Sequence, residues 1–336
     1  MSFQRKNGCL NNENTGMATM ESSLLDPRSS NCDNEFHCEF KNFPVTFVNA
    51  LRRILLSEIP TVVVREVEIV ENTTQMPHEM LKHRVEMMPV KVLPSDSAAI
   101  RDTKIELHAL PHTEARTLYN TDFSGGVLMN DRDLDTPLLF LKMRAGETVH
   151  IRGRLVRETK TASQVCTATT KWHIDPKRAD VDRKAWVEKG EAAQVFDNFY
   201  IQKSYSRDEK GRPDWIDLDV ESVGVVTSKE LVKMSVKLLR EMVDTYMKDA
   251  SANIERYKDD EYHIKIAHGG HTVCALLQEV IYYFSPNINF VSYDIPHPLR
   301  PETVLRFQSK NPPETVLDTA HKVIQEYCSV VEKGLA

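Results

Sequence analysis

Phe47-Val48-Asn49-Ala50-Leu51-Arg52-Arg53-Ile54-Leu55-Leu56-Ser57-Glu58-Ile59-Pro60-Thr61 is the stretch on which the fold turns. Phe47, Val48, Leu51, Ile54, Leu55 and Ile59 recur at steps of three and four, which lines one face of an α-helix with apolar groups. Asn42 is the N-cap candidate, Pro44 suits the first turn, and Pro60 stops the helix. Arg52 and Arg53 are consecutive, so about 100° separates them around the axis and they cannot both face a core.

Outward from this helix, Phe36–Phe40 alternates as a short strand before it. Val62–Val70, rich in Val and Ile with interleaved Arg65, Glu66 and Glu68, reads as a half-exposed strand after it. Ile216–Val226 is again strand-like. A long helix capped by Ser228 follows, with Leu231, Met234, Leu238, Met242 and Tyr246 on one face. The pattern then recurs. Tyr262–Ala267 is a strand, Gly269-Gly270-His271-Thr272 turns into a helix bearing Val273, Leu276, Leu277, Val280 and Ile281, and two strands follow (Asn289–Ile295, Thr303–Gln308). The final helix carries Val316, Ala320, Val323, Tyr327 and Val330. Strand, helix, strands, closing helix occurs twice, a two-copy repeat of about 80 residues with a large insertion in the first copy. The closing stripes suit helix pairing as well as covering their own sheets.

The expected organisation is a mobile tail over 1–34, a first half over 35–92 and 216–248, and an inserted mainly-β domain over 93–215. A linker over 249–260 and a second half over 261–336 complete it. The fold class is α+β, two antiparallel-sheet-plus-helix halves forming an intramolecular pseudo-dimer. Within the insertion, Asp175–Glu191 reads as a surface loop or short helix.

The net charge is −6 over 336 residues, whereas a chain that neutralises phosphates by itself normally shows a basic surplus. DNA and RNA contacts are therefore expected to be indirect. Apolar runs are far too short for a membrane span and no secretory leader opens the chain, so an intracellular protein with no membrane contact is expected. The cysteines, at 9, 32, 38, 166, 274 and 328, lack the paired spacing of structural metal loops. His263, His268 and His271 cluster without a carboxylate or thiol at matching spacing. No metal and no cofactor are assigned.

Asp131-Arg132-Asp133-Leu134-Asp135 is the strongest enzyme-like signal, since alternate carboxylates on a strand could bind magnesium. No glycine sits at the turn and Lys142 occupies the twelfth position, so a solvated acidic turn is the better reading and no catalytic residue is assigned.

The Phe47–Thr61 segment closely resembles the signature helix of the RNA polymerase alpha family, which includes bacterial alpha, archaeal D and the third-largest eukaryotic subunits. His83-Arg84-Val85-Glu86-Met87-Met88-Pro89-Val90 is similar to the stretch that precedes that family's inserted domain. Leu141–Ile151 resembles a strand pair inside it. Gly270-His271-Thr272-Val273-Cys274-Ala275-Leu276-Leu277 and Tyr293-Asp294-Ile295-Pro296-His297-Pro298-Leu299 resemble the archaeal L subunit and its eukaryotic eleventh-subunit counterparts. The family's insertion often carries a cysteine cluster; only Cys166 stands there, so no cluster is carried over. D and L are usually separate chains, and their fusion resembles the arrangement in some large cytoplasmic DNA viruses, which points to host cytoplasm and virion.

The resemblance implies a non-catalytic assembly platform of a DNA-directed RNA polymerase, receiving the largest and second-largest subunits and small adaptor subunits. The alternatives are a free-standing transcription regulator on the same dimer fold and an autonomous nucleotidyl enzyme using the Asp131 cluster. Phe47, Asn49, Leu51, Arg52, Arg53, Leu55, His83, Arg84, Leu238, His271, Thr272, Leu276, Leu277, Pro296, His297, Pro298, Val323 and Tyr327 are the expected dimer-interface and assembly residues. Arg52 or Arg53 is expected to meet a large-subunit carboxylate, a solvated pair being the alternative. His297, held between two prolines, is expected to bond a neighbouring backbone.

Overall fold

The computed structural model describes residues 3–4, 22–29, 33–257 and 260–336. The chain opens with β1 (Phe3–Gln4), β2 (Ser23–Ser29), β3 (Glu35–Lys41) and α1 (Val45–Ser57). There follow β4 (Thr61–Asn72), α2 (His78–Glu86), α3 (Ser97–Asp102), β5 (Lys104–Ala109), β6 (Arg116–Tyr119), β7 (Leu139–Met143) and β8 (Val149–Glu158). The chain continues through β9 (Cys166–Trp172), α4 (Pro176–Glu188), α5 (Ala193–Val195), β10 (Trp215–Ser222) and α6 (Ser228–Ala252). It closes with β11 (Ile254–Arg256), β12 (Glu261–Ile266), α7 (Gly270–Phe284), β13 (Ile288–Asp294), β14 (Thr303–Ser309) and α8 (Pro313–Leu335).

The two halves have matching sheets. The first runs β2-β3-β10-β9 and the second β1-β13-β14-β12-β11, with every pairing antiparallel. In each, the strand before the closing helix is central (β10, β14), flanked by the strand before the first helix (β3, β12) and the strand after it (β9, β13). β2 and β11 then hold equivalent edge positions. Both lie where the sequence suggested unstructured chain, β2 in the tail and β11 in the linker. Edge pairing uses main-chain groups, which composition does not reveal. Residues 1–2, 5–21 and 30–32 of the expected tail, and 258–259 of the expected linker, lie outside the described residues. The remainder of that linker is largely the end of α6, which runs to Ala252.

The pairing also relocates the insertion. β4 and α2 belong to a second hydrophobic core with β5, β7 and β8, through Val62, Leu81, Val85, Leu107, Phe140 and Ile151. The inserted body therefore begins at β4, just after Pro60, and not at 93. β9 returns to the first sheet, so a second excursion, containing α4 and α5, separates β9 from β10. α4 is a full helix, capped by Asp175 through Lys177 N. The strands around Ala145-Gly146-Glu147 are consecutive but not partners: β7 pairs with β6, and β8 with β4 and β5.

One core spans both halves and contains buried residues of α1, α6, α7 and α8 together with both inner sheet faces. α6 packs on β3 and β10 and reaches β12 of the other half, while α8 packs on α6, α7 and β2. The closing helices thus bind both their own neighbours and the opposite half. A Cβ at Gly334 of α8 would fall 2.8 Å from Leu24 of β2, so that close approach needs glycine.

Candidate interface and assembly surface

α1 and α7 cross the junction antiparallel. At one end Glu279 accepts hydrogen bonds from Thr46 N (3.2 Å) and Thr46 Oγ1 (2.5 Å). At the other, Arg53 Nε donates to Thr272 Oγ1 at 2.9 Å. Between these polar ends Phe47, Leu51 and Leu55 of α1, and Leu276 and Leu277 of α7, are buried in the shared core. Asn42 does not cap α1. It takes a left-handed turn (φ 60°), Pro44 precedes the first helical residue without a side-chain cap, and the carboxylate on Thr46 N comes from the other half.

α6 and α8 form a second antiparallel pair. Asp244 accepts from Gln325 Nε2 at 2.7 Å and lies 2.7 Å from His321 Nε2. Arg240 donates to Gln325 (2.5 Å) and to Glu332 (2.8 Å). These half-exposed groups contribute at most about 1 kcal/mol per ion pair and chiefly fix register. Apolar burial does more. Tyr327 of α8 lies with its ring 5.5 Å from Phe47 and 5.2 Å from Phe43. Tyr246 of α6 is fully buried beneath Gly269, where a Cβ would come within 2.6 Å of its ring. Its hydroxyl faces Cys274 Sγ at 3.8 Å.

The stripes of the closing helices are displaced from those expected. Leu231 and Tyr246 are buried, but Met234, Leu238 and Met242 flank the seam, whose deepest residues include Val232, Val236, Leu239 and Val243. On α8, Val323 and Val330 flank Leu317, Ile324, Cys328 and Val331. Both helices carry wider apolar faces than one neighbour needs, and spacing alone does not choose the centre of a wide stripe. Thr227, not Ser228, caps α6, accepting from Glu230 N at 3.3 Å, while Ser228 Oγ donates to Asn34 O.

Several expected residues lie off the seam. His83 and Arg84 are on α2 in the inserted body, where Arg84 donates to Leu139 O at 3.1 Å. Asn49 is exposed and accepts from Arg52 at 2.9 and 3.1 Å. Among the described residues neither Arg52 nor Arg53 has a carboxylate within 4 Å. Exposed His271 faces Tyr293 Oη at 3.3 Å. Pro296, His297 and Pro298 form an exposed loop joining β13 to β14, in which His297 Nδ1 accepts from Leu299 N at 3.1 Å.

The clusters weighed for chemistry are dispersed. Asp131 Oδ1 accepts from the backbone of Asp133 and Leu134, Asp133 pairs with Arg132 at 2.8 Å, and Asp135 is a left-handed turn residue. They occupy a turn, not one strand face. His263 pairs with Glu261, His268 with Asp249, and His271 points to Tyr293. Cys38, Cys166, Cys274 and Cys328 are free and buried; Cys9 and Cys32 lie outside the described residues. Among the described residues no helix is long and apolar enough to cross a membrane.

Sequence comparison agrees with this two-part architecture. The family profile described as the RNA polymerase Rpb3/Rpb11 dimerisation domain matches residues 38–243, and a second profile of the same description matches 261–334. DNA-directed RNA polymerase subunit Rpo3 of Methanocaldococcus jannaschii is 31% identical over 100 residues, 30% of this chain and 49% of that protein. The Rpo3 subunit of Pyrococcus horikoshii is 25% identical over 233 residues, 61% of this chain and 89% of that protein. DNA-directed RNA polymerase II subunit RPB3 of Schizosaccharomyces pombe is 49% identical over 49 residues, 15% of this chain and 16% of that protein. The chain thus spans about half the length of the first of these relatives. With one profile covering more than half of the sequence and another covering its end, the chain belongs to the RNA polymerase Rpb3/Rpb11 dimerisation-domain family and holds two such domains in tandem.

Proposed function

We propose that this chain is a non-catalytic subunit of a multisubunit DNA-directed RNA polymerase, serving as the platform on which the largest and second-largest subunits assemble. The observation that carries this reading is the single core shared by α1, α6, α7 and α8. A dimer that other chains form by encounter is here built into one polypeptide, with an effective concentration of roughly millimolar for a short linker. Arg52 and Arg53 support it further. Their guanidinium groups meet only neutral acceptors among the described residues, which leaves them able to form charge-assisted bonds with a docking carboxylate. The exposed Pro296–Leu299 loop and His83 are further candidates for contact with large or small adaptor subunits. DNA and RNA are reached through the complex. On the strength of the fusion alone, the reading extends to a source among large DNA viruses and to action in host cytoplasm and virion; the named relatives are archaeal and eukaryotic.

The test is affinity purification of the tagged full-length chain from its native extract. Both large subunits in stoichiometric amounts are expected. Elution apart from them favours a free-standing regulator on the same fold. Arg52→Glu, at a side chain whose only hydrogen bonds among the described residues are to Asn49 on its own helix, is expected to lower recovery of the large subunits without altering the melting of the free chain.

A further inference from the structure

The outer face of the first sheet carries a polar cluster that assembly through the shared core does not use. Along β3, Phe36, Cys38 and Phe40 point into that core, so His37, Glu39 and Lys41 face the other way. Across the ladder Asp217 stands directly opposite Glu39, and Asp219 opposite His37. Like charges directly opposite on neighbouring strands are destabilising. The side chains of Glu39 and Asp217 are only 14% and 10% exposed. Among the described residues neither has a lysine or arginine within 4 Å. Lys171 pairs with Asp219 at 3.0 Å, and Lys41 lies over the Trp215 ring.

We propose that His37, Glu39 and Asp217 bind a divalent first-row transition-metal cation of the zinc type, with a fourth position open to solvent. One ligand atom from each residue lies within 4.8 Å of the others. His37 Nε2 and Glu39 Oε1 are 3.6 Å apart, close to the edge of about 3.4 Å for a tetrahedron with bonds of about 2.1 Å. Each ligand has an orienting partner. Asp219 holds His37 through Nδ1 at 2.6 Å, which turns Nε2 toward Glu39. Trp215 Nε1 donates to Glu39 Oε2 at 3.1 Å, leaving Oε1 available. His173, stacked on Trp215, engages one oxygen of Asp217 at 2.8 Å. A carboxylate behind a ligating imidazole is the usual outer arrangement of such sites. One imidazole with two carboxylates suits zinc, cobalt or manganese better than magnesium or calcium, which prefer all-oxygen sets. The cation offsets the Glu39–Asp217 repulsion and ties β3 to β10.

The test is titration of the chelator-stripped full chain with Co²⁺, followed by displacement with Zn²⁺. One equivalent of Co²⁺ giving visible absorption bands that Zn²⁺ abolishes is expected. Glu39→Gln and Asp217→Asn are each expected to weaken binding at least about 100-fold, and Asp219→Asn about 10–100-fold. His263→Gln, in the other half, is expected to leave binding unchanged. Because a sheet variant can fail to fold, a second measurement uses the unaltered protein. Zn²⁺ is expected to slow acylation of His37 by diethyl pyrocarbonate, read by peptide mass spectrometry. Unchanged affinity in the Glu39 and Asp217 variants, absence of the cobalt bands, or equal acylation of His37 with and without zinc overturns the proposal.

Discussion

The carboxylate of Glu279, on the second half, serves as the N-terminal cap of α1 on the first, accepting from both the backbone and hydroxyl of Thr46. A negative group at a helix N-terminus satisfies an orphan donor and opposes the helix dipole. Here that local stabilisation exists only when the halves are together. Glu279→Gln is expected to destabilise the chain by about 1 kcal/mol in urea unfolding. Thr46→Ala is expected to lose much of its effect in the Glu279→Gln background, so the double-mutant cycle gives a non-zero coupling. Additive effects would mean that the two groups act independently.

Gly269 and Gly270 allow a controlled comparison, since both have positive φ, 92° and 52°. A Cβ at 270 meets nothing within 4 Å, whereas one at 269 strikes the Tyr246 ring. Gly270→Ala should therefore carry only the backbone penalty, about 1–2 kcal/mol. Gly269→Ala adds steric displacement of a buried tyrosine from the opposite half, and is expected to exceed it by about 1–3 kcal/mol. Equal melting temperatures for the two variants would show that Tyr246 is not confined as the structure places it.

Burial pushes the thiols of Cys166 and Cys328 up to about 12, from an ordinary 9.0. For Cys328, Glu332 and Asp244 add to the rise and Arg240 opposes it. A raised value in the folded state means that the proton is held more tightly there. This contribution to stability is complete below about pH 9 and is lost as pH rises toward 12. Unfolding free energy should therefore fall steadily through that window. Cys166→Ala with Cys328→Ala should flatten the decline, though cavity formation lowers stability at every pH. Alkylation at pH 8 of the native protein should miss both thiols.

How far the fold was readable from the sequence depended on where each signal lay. The α1 stripe of Phe47, Leu51 and Leu55 is local and strong, and it was legible together with its partners Leu276 and Leu277. What escaped depends on chain brought together from a distance. β2 and β11 pair through backbone groups in weakly patterned segments, and Glu279 caps a helix more than two hundred residues earlier. Likewise His37, Glu39 and Asp217 converge only because β3 and β10 are neighbours. The insertion was misplaced because the strand Val62–Val70 has the same pattern in either core; only its pairing with β8 assigns it. The acidic run at Asp131 was legible as a turn despite its alternating carboxylates, because a turn of this kind is local: Asp131 accepts from the backbone of Asp133 and Leu134.

The shared core makes a specific demand on a chain cut between its halves. Residues 258–259 lie between β11 and β12, a short antiparallel pair at the edge of the second sheet. Extensive contact between the halves lies elsewhere, in α1 with α7, α6 with α8, and α8 with β2. Co-expressed fragments 1–257 and 260–336 should therefore co-purify in equal amounts. Because cutting makes their meeting bimolecular, melting should become concentration-dependent, rising with protein concentration, while the intact chain melts at a constant temperature. Phe47→Ala removes an aromatic ring packed against Tyr327, a loss of about 3–5 kcal/mol for a buried phenylalanine. That variant should weaken fragment association far more than Asn49→Ala, which lies on the same helix but faces solvent. Fragments that purify separately, or a split pair whose melting ignores concentration, would mean that the two halves are independently stable bodies and not one interlocked dimer.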